Sequence, residues 1–213
     1  MFMFILLCLC IANVMGTEST LPGECPNMVL EENLDYTKFS GVWYNIANYA
    51  SDGRVTNDCA ILEFTEDNLG FIMKETFVEP LEKRTQKQYT ARVDPMFDAG
   101  NQAKFVVSYE DGDKVLQFPF SILSTDYDDY AVAYTCKTLK KNIRTHYVFA
   151  WVLTRSKDNL PQSTLKKVED ALSKYTDLAE HRQSLKFKEF TNETCSFDSR
   201  YETDFLTNNF WQQ

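Results

Sequence analysis

Histidine is scarce in this chain, with only His146 and His181, and no two cysteines after residue 16 lie close enough to form a C-x-x-C pair. A tetrahedral zinc site wants closely spaced soft ligands, so no metal is expected. Positive charge is also short. Lys and Arg number 22 against 31 Asp and Glu, a net charge of −9, and an anionic surface repels the phosphates of nucleic acid. The one basic stretch, Lys137 to Arg144, reads as a solvated hairpin turn. Beyond the first residues no apolar run has the length of a membrane span. No repeat or low-complexity linker divides the chain, so its 213 residues, 44% hydrophobic and 14% aromatic, are expected to form one domain with a sizeable core.

The first stretch, Met1 to Gly16, carries no charged side chain and contains an apolar run from Phe2 to Ala12 that ends in small residues. It reads as a secretory signal peptide, residues 1–16, too short to span a bilayer. The mature protein is then expected to start near Thr17, to be secreted, and to fold in an oxidising, extracellular setting. Cys8 and Cys10 fall in the leader. Cys25, Cys59, Cys136 and Cys195 remain, enough for two disulfides in any of three connectivities. Asn192-Glu193-Thr194 is a glycosylation sequon, which marks a glycoprotein with this segment at its surface.

Short strand-like segments punctuated by turn residues fill the middle of the chain. We read them as Gly41 to Ala50, Cys59 to Thr65, Phe71 to Val78, Lys87 to Val93, Lys104 to Tyr109, Val115 to Leu123, Tyr130 to Cys136 and Thr145 to Thr154. The hairpin signals at Asp67 to Gly70 and Glu110 to Asp113 are the clearest. From Pro161 to Tyr175, Leu165, Val168, Leu172 and Tyr175 recur at helical spacing between charged residues, which predicts an amphipathic helix begun by its proline. Ser184 to Phe190 is expected to return as a strand. The fold class is therefore all-β, an eight-stranded up-and-down antiparallel barrel with one C-terminal helix packed outside.

Alternation within the strands separates an inside from an outside. In the last strand Tyr147, Phe149, Trp151 and Leu153 share one face, and His146, Val148, Ala150 and Val152 share the other. Both faces read as buried, the second beneath the helix. In the preceding strand large Tyr130, Val132 and Tyr134 alternate with small Ala131, Ala133 and Thr135. If the small set faces inward, it leaves a cavity with one flat aromatic wall, suited to a planar conjugated ligand. Taken alone, such an aromatic stripe more often fills a core.

Three segments carry a resemblance. Gly41-Val42-Trp43, preceded by Phe39-Ser40, resembles the lipocalin G-x-W motif; Thr125-Asp126-Tyr127 resembles the second lipocalin motif; and Arg155, after Phe149 to Thr154, resembles the third. In that family the motif Trp packs beneath the Arg at the closed end, so Trp43 and Arg155 are assigned to structure through a cation–π contact. From Gly23-Glu24-Cys25-Pro26 to Thr194-Cys195 the chain is similar to the bilin-binding proteins and insecticyanin. This resemblance implies the pairs Cys25 with Cys136 and Cys59 with Cys195. It also implies a biliverdin-type bilin held non-covalently as the ligand. Carried over by position, the lining on the strands from Phe71 to Leu123 comprises Met73, Glu75, Phe77, Tyr89, Leu116 and Phe118. On the last two strands it comprises Ala133, Thr135, Tyr147, Phe149 and Trp151. In the loop from Ser51 to Asn57, Arg54 reads equally as a partner for a ligand propionate and as a solvated charge.

Function follows as a secreted carrier of a hydrophobic conjugated small molecule for coloration or sequestration, with a carotenoid, fatty acid or hormone-like lipid as the alternative cargo. An enzyme is not expected, since no free thiol remains and no Cys–His or Ser–His arrangement can be drawn. The acidic clusters Glu110 to Asp113 and Asp126 to Asp129 read as solvated turns. The tail, residues 196–213, holds Phe197, Tyr201, Phe205, Phe210 and Trp211 among polar residues. It either packs on the barrel, residues 17–195, or joins subunits into a homo-oligomer. A chain truncated at Ser196 that sediments unchanged would decide against the second.

Overall fold

The structure, a computed structural model, describes residues 20–51, 57–80, 84–111, 114–140, 144–158, 160–175, 178–179 and 184–196. The leader, Arg54, the tip of the hairpin at 112–113, His181 and the aromatic tail from Phe197 lie outside the described residues. Eight strands follow one another as a meander. They are β2 (Gly41–Ala50), β3 (Asp58–Asp67), β4 (Gly70–Val78), β5 (Gln86–Pro95), β6 (Lys104–Asp111), β7 (Lys114–Thr125), β8 (Tyr130–Lys140) and β9 (Arg144–Thr154). Each pairs antiparallel with the next, and β9 pairs back onto β2, which closes the barrel. Before them come β1 (Leu21–Pro22) and a short helix α1 (Tyr36–Phe39); after them come α2 (Gln162–Ser173) and β10 (Lys186–Phe187).

The closure is staggered. Gly41 to Tyr44 of β2 pair with β3, whereas Tyr44 to Ala50 pair with β9, with a bulge between Asn45 and Ala47. Stagger of this kind comes with the tilt of barrel strands and leaves short unpaired edges at the rim. β10 covers the edge of β2, placing Lys186 opposite Asn48, and β1 covers the edge of β9, placing Leu21 opposite His146. A disulfide secures each addition: Cys25–Cys136 (S–S 2.03 Å) ties the amino-terminal arm to β8, and Cys59–Cys195 (2.00 Å) ties the segment after β10 to β3. This is the pairing that the resemblance implies.

Alternation produces two separate apolar cores. One fills the barrel and includes Trp43, Phe64, Phe71, Phe105, Ala131, Ala133 and Leu153. The other lies outside, where Tyr130, Val132, Val148, Ala150 and Val152 meet Val168, Ala171 and Leu172 of α2. Burying each such side chain contributes roughly 1.5–3 kcal/mol. The buried stripe of α2 differs from the sequence pattern: Thr164 and Ala171 join Val168 and Leu172, while Leu165 is only half-buried. Pro161 sits before the helix as its cap, with ψ at 145° rather than in the first turn. Thr164 is turned inward and its hydroxyl donates to Asp129 Oδ2 at 3.4 Å.

The turn from Asp126 to Asp129 is a second difference, since it is a fastening and not merely a solvated loop. Asp126 Oδ1 accepts from the backbone N–H of Asp129 (2.9 Å) and of Tyr130 (3.0 Å), and its other oxygen meets Lys167 Nζ of α2 at 2.7 Å. Desolvation acts to raise its pKa, but Lys167 and the two N–H groups outweigh it and hold the carboxyl below its ordinary value. The basic stretch likewise differs, because Lys137 to Lys140 continue β8 and pair with β9 as far as Arg144.

One end of the barrel is sealed by Arg155. Its guanidinium carbon lies 3.7 Å from the ring centroid of Trp43. It donates to the carbonyls of Tyr127 (3.0 Å), Val42 (3.0 Å), Lys38 (2.7 Å) and Phe39 (3.3 Å). The first lipocalin-like motif follows from this geometry. Gly41 has φ of +100°, and a Cβ there would sit 3.3 Å from Arg155 Nη1, so only glycine suits the position. The second motif forms the turn that offers Tyr127 O, with Thr125 Oγ1 accepting from Tyr127 N at 3.0 Å and donating to Tyr130 O at 2.8 Å. Arg155→Ala is expected to lower stability by about 3 kcal/mol, from the lost cation–π contact and orphaned carbonyls. Arg155→Lys should recover less than half of it, because one ammonium cannot serve four carbonyls; urea unfolding with both variants checks this.

Candidate functional site

The inside of the barrel changes character from its closed end to its open end. Around Trp43 the aromatic rings of Phe39, Phe64, Phe71 and Phe105 interlock, with centroid distances of 5.1 Å (Phe39–Trp43), 5.2 Å (Phe39–Phe64), 5.5 Å (Phe64–Phe71) and 6.0 Å (Phe71–Phe105). None of these side chains is more than 2% exposed, so the floor is solid. Higher up, the inward positions of the same strands are less completely covered. Glu75, Tyr89, Leu116, Phe118, Tyr147 and Trp151 are only half-buried, although pairing places each on the inner face. Surface left uncovered on an inner face borders a cavity.

The two walls of that upper lumen differ. On β9, Phe149 and Trp151 lie with centroids 6.5 Å apart and planes only 21° from parallel. Their cross-strand neighbours on β8 are Thr135 and Ala133. Small beside large gives a flat apolar wall with space before it. On β4 to β7, Phe77, Tyr89, Tyr109 and Phe118 form a chain of ring contacts at 5.4, 6.2 and 5.6 Å. Met73 belongs to the buried layer beneath.

A polar group sits in this aromatic wall. Glu75 lies opposite Leu62 on β3 and Tyr89 on β5, and Tyr109 Oη donates to its Oε2 at 3.1 Å. Burial pushes the Glu75 carboxyl above the ordinary value, and the Tyr109 hydrogen bond offsets this only in part. Tyr109 is pushed well above the usual phenol range by burial and by the Glu75 charge; Tyr89 is pushed up to about 12 by burial, then by Glu79 and Glu75. Both phenols therefore remain protonated donors at neutral pH. Nearer the mouth, Lys87 lies opposite Phe77 and its Nζ meets Glu79 Oε2 at 2.7 Å, both side chains largely covered.

The structure thus brings Met73, Glu75, Phe77, Tyr89, Leu116, Phe118, Ala133, Thr135, Tyr147, Phe149 and Trp151 to one inner face. Thr135 is occupied there, since its hydroxyl donates to the carbonyl of Pro119. Sequence reasoning missed Tyr109, Lys87 and Asn45. Alternation with Tyr89 identifies Lys87 as inward, and alternation with Phe105 and Val107 does the same for Tyr109. His146 faces outward, its Nδ1 at 3.2 Å from Gly23 O. Among the described residues no group of His, Cys, Asp and Glu is arranged to hold a metal.

The barrel with its external helix has its counterpart in known proteins. The profile of the lipocalin / cytosolic fatty-acid binding protein family matches residues 40–181. The chain belongs to this family. Among proteins similar to this lipocalin, insecticyanin-B of Manduca sexta is 25% identical over 183 residues, 84% of this chain and 85% of that protein. The bilin-binding protein of Pieris brassicae is 25% identical over 143 residues, 63% of this chain and 69% of that one. The solved structure of insecticyanin from the tobacco hornworm shares the fold with a TM-score of 0.74 at 24% identity, covering 85% of this chain and 94% of that one.

Because the folded state raises the pKa of Glu75, it holds that proton more tightly than the unfolded chain. The associated stability is fully present below the ordinary carboxylate value and lost as pH rises through the raised value. Glu75→Gln removes the loss. In the ligand-free lipocalin this variant is expected to unfold at higher urea than the parent at neutral pH, with the two curves converging below about pH 4.

Proposed function

We propose that this lipocalin is a secreted carrier that holds a hydrophobic conjugated ligand, a biliverdin-type bilin, non-covalently in the upper lumen. The observation that carries this reading is the near-parallel Phe149–Trp151 pair beside small Ala133 and Thr135 on the inner face, above a solid aromatic floor. A flat π-system laid against that pair exchanges water for apolar surface at roughly 25 cal/mol per Å². The similarity to a bilin-binding protein supports the choice of cargo. Two disulfides and the apolar leader Met1 to Gly16 support export to an oxidising compartment, and Asn192 of the sequon is exposed, as a glycan requires.

The mechanism is sequestration without turnover. The acidic group in the lumen is held by Tyr109, and the imidazole of His146 is on the opposite side of the wall.

An absorption titration of the oxidised protein with biliverdin tests the reading. A stoichiometric shift of the visible bands is expected, with the affinity falling on the order of a hundredfold when Phe149 and Trp151 are both changed to Ala. No shift, with tryptophan quenching by a carotenoid or fatty acid instead, would keep the carrier and discard the bilin.

A further inference from the structure

Three donors of the lumen are engaged within the protein: Tyr109 on Glu75, Thr135 on the Pro119 carbonyl, Lys87 on Glu79. Two acceptors are not matched in this way. Glu75 has the single Tyr109 hydrogen bond for a carboxylate able to accept several, and no cation among the described residues compensates its charge. Asn45, 6% exposed, lies opposite Leu153 on the inner face of β2, and its Oδ1 has no hydrogen-bond partner. The groups around Glu75 are Leu62 from β3, Tyr89 from β5, Tyr109 from β6, and Met73 and Phe77 on its own strand; the remaining charges toward the mouth, Lys87 and Glu79, neutralise each other. Buried acceptors of this kind cost free energy until a donor arrives.

We propose that Glu75, assisted by Asn45, is the specificity-determining group of the lumen and selects ligands that present a hydrogen-bond donor on nitrogen, an N–H or ammonium, against ligands headed by a carboxylate. The proposal rests on the reading of the lumen as the ligand site, and narrows it. An N–H donor facing Glu75 completes the carboxylate that Tyr109 half satisfies. A carboxylate head at the same place meets a like charge. The lactam and pyrrole N–H groups of a bilin satisfy the requirement, and a fatty acid does not.

The test compares dodecylamine with dodecanoate, which share a chain and differ in the head, together with biliverdin, by titration calorimetry at neutral pH. The parent protein is expected to bind the amine at least about tenfold more tightly than the acid, a ratio that Glu75→Gln reduces to within about threefold, with biliverdin weakened about tenfold. Near-ultraviolet circular dichroism reports whether the variant keeps its fold, and the parent's own ratio needs no variant. Equal binding of the two heads by the parent, or a ratio that survives Glu75→Gln, overturns the selection. If biliverdin binds but loses less than twofold in Glu75→Gln, the selection falls and the bilin carrier stands. If biliverdin fails while the amine preference depends on Glu75, the selection stands and the bilin reading falls.

Discussion

A strand that closes a barrel serves two neighbours running at different angles, and β2 meets that demand with one extra residue, Ile46, which bulges within its pairing with β9 just past the end of its pairing with β3. Everything inside depends on that bulge. Before it, Trp43 and Asn45 point inward; after it, Ala47 and Tyr49 belong to the outer core, and Asn48 lies opposite inward-facing Trp151. Without closure an antiparallel sheet has two interchangeable faces. With closure each alternate residue on eight strands is committed either to the lumen or to the surface beneath α2.

The second constraint is the difference between the two ends. Arg155 draws four backbone carbonyls and the Trp43 ring onto one planar cation, which joins α1, the start of β2, the turn before β8 and the end of β9. Only a guanidinium has enough donors in one plane for this. Large aromatic rings complete the plug below, while Ala133 and Thr135 stand beside Phe149 and Trp151 above. The cavity is thus a consequence of where bulky and small residues fall on the same alternation.

The lumen also holds a group that works against stability. A carboxylate among Tyr89, Tyr109 and Phe77 gains one hydrogen bond and loses much of its hydration. Buried polar groups that the fold itself does not need are commonly found where a ligand completes them. Glu79 and Lys87, nearer the mouth, are by contrast satisfied by each other.

Much of this was legible in the sequence because alternation is a local property. Two residues suffice to share a face, so the eight strands and the opposition of Tyr147, Phe149 and Trp151 to His146 could be read from spacing, while the resemblance supplied which of the two faces is inward. Strand ends were read short, as at Lys137 to Lys140, because charged residues on a barrel rim look like turn residues. Leu165 was over-read and Thr164 under-read, since the register of a helix is set by what it lies on. Partners at long range were decided by the tertiary structure: one of three cysteine connectivities, Lys167 on Asp126, Tyr109 on Glu75. The inward face of Asn45 belongs with these, because a bulge shifts the alternation wherever closure requires a bend, and closure joins strands that are about a hundred residues apart.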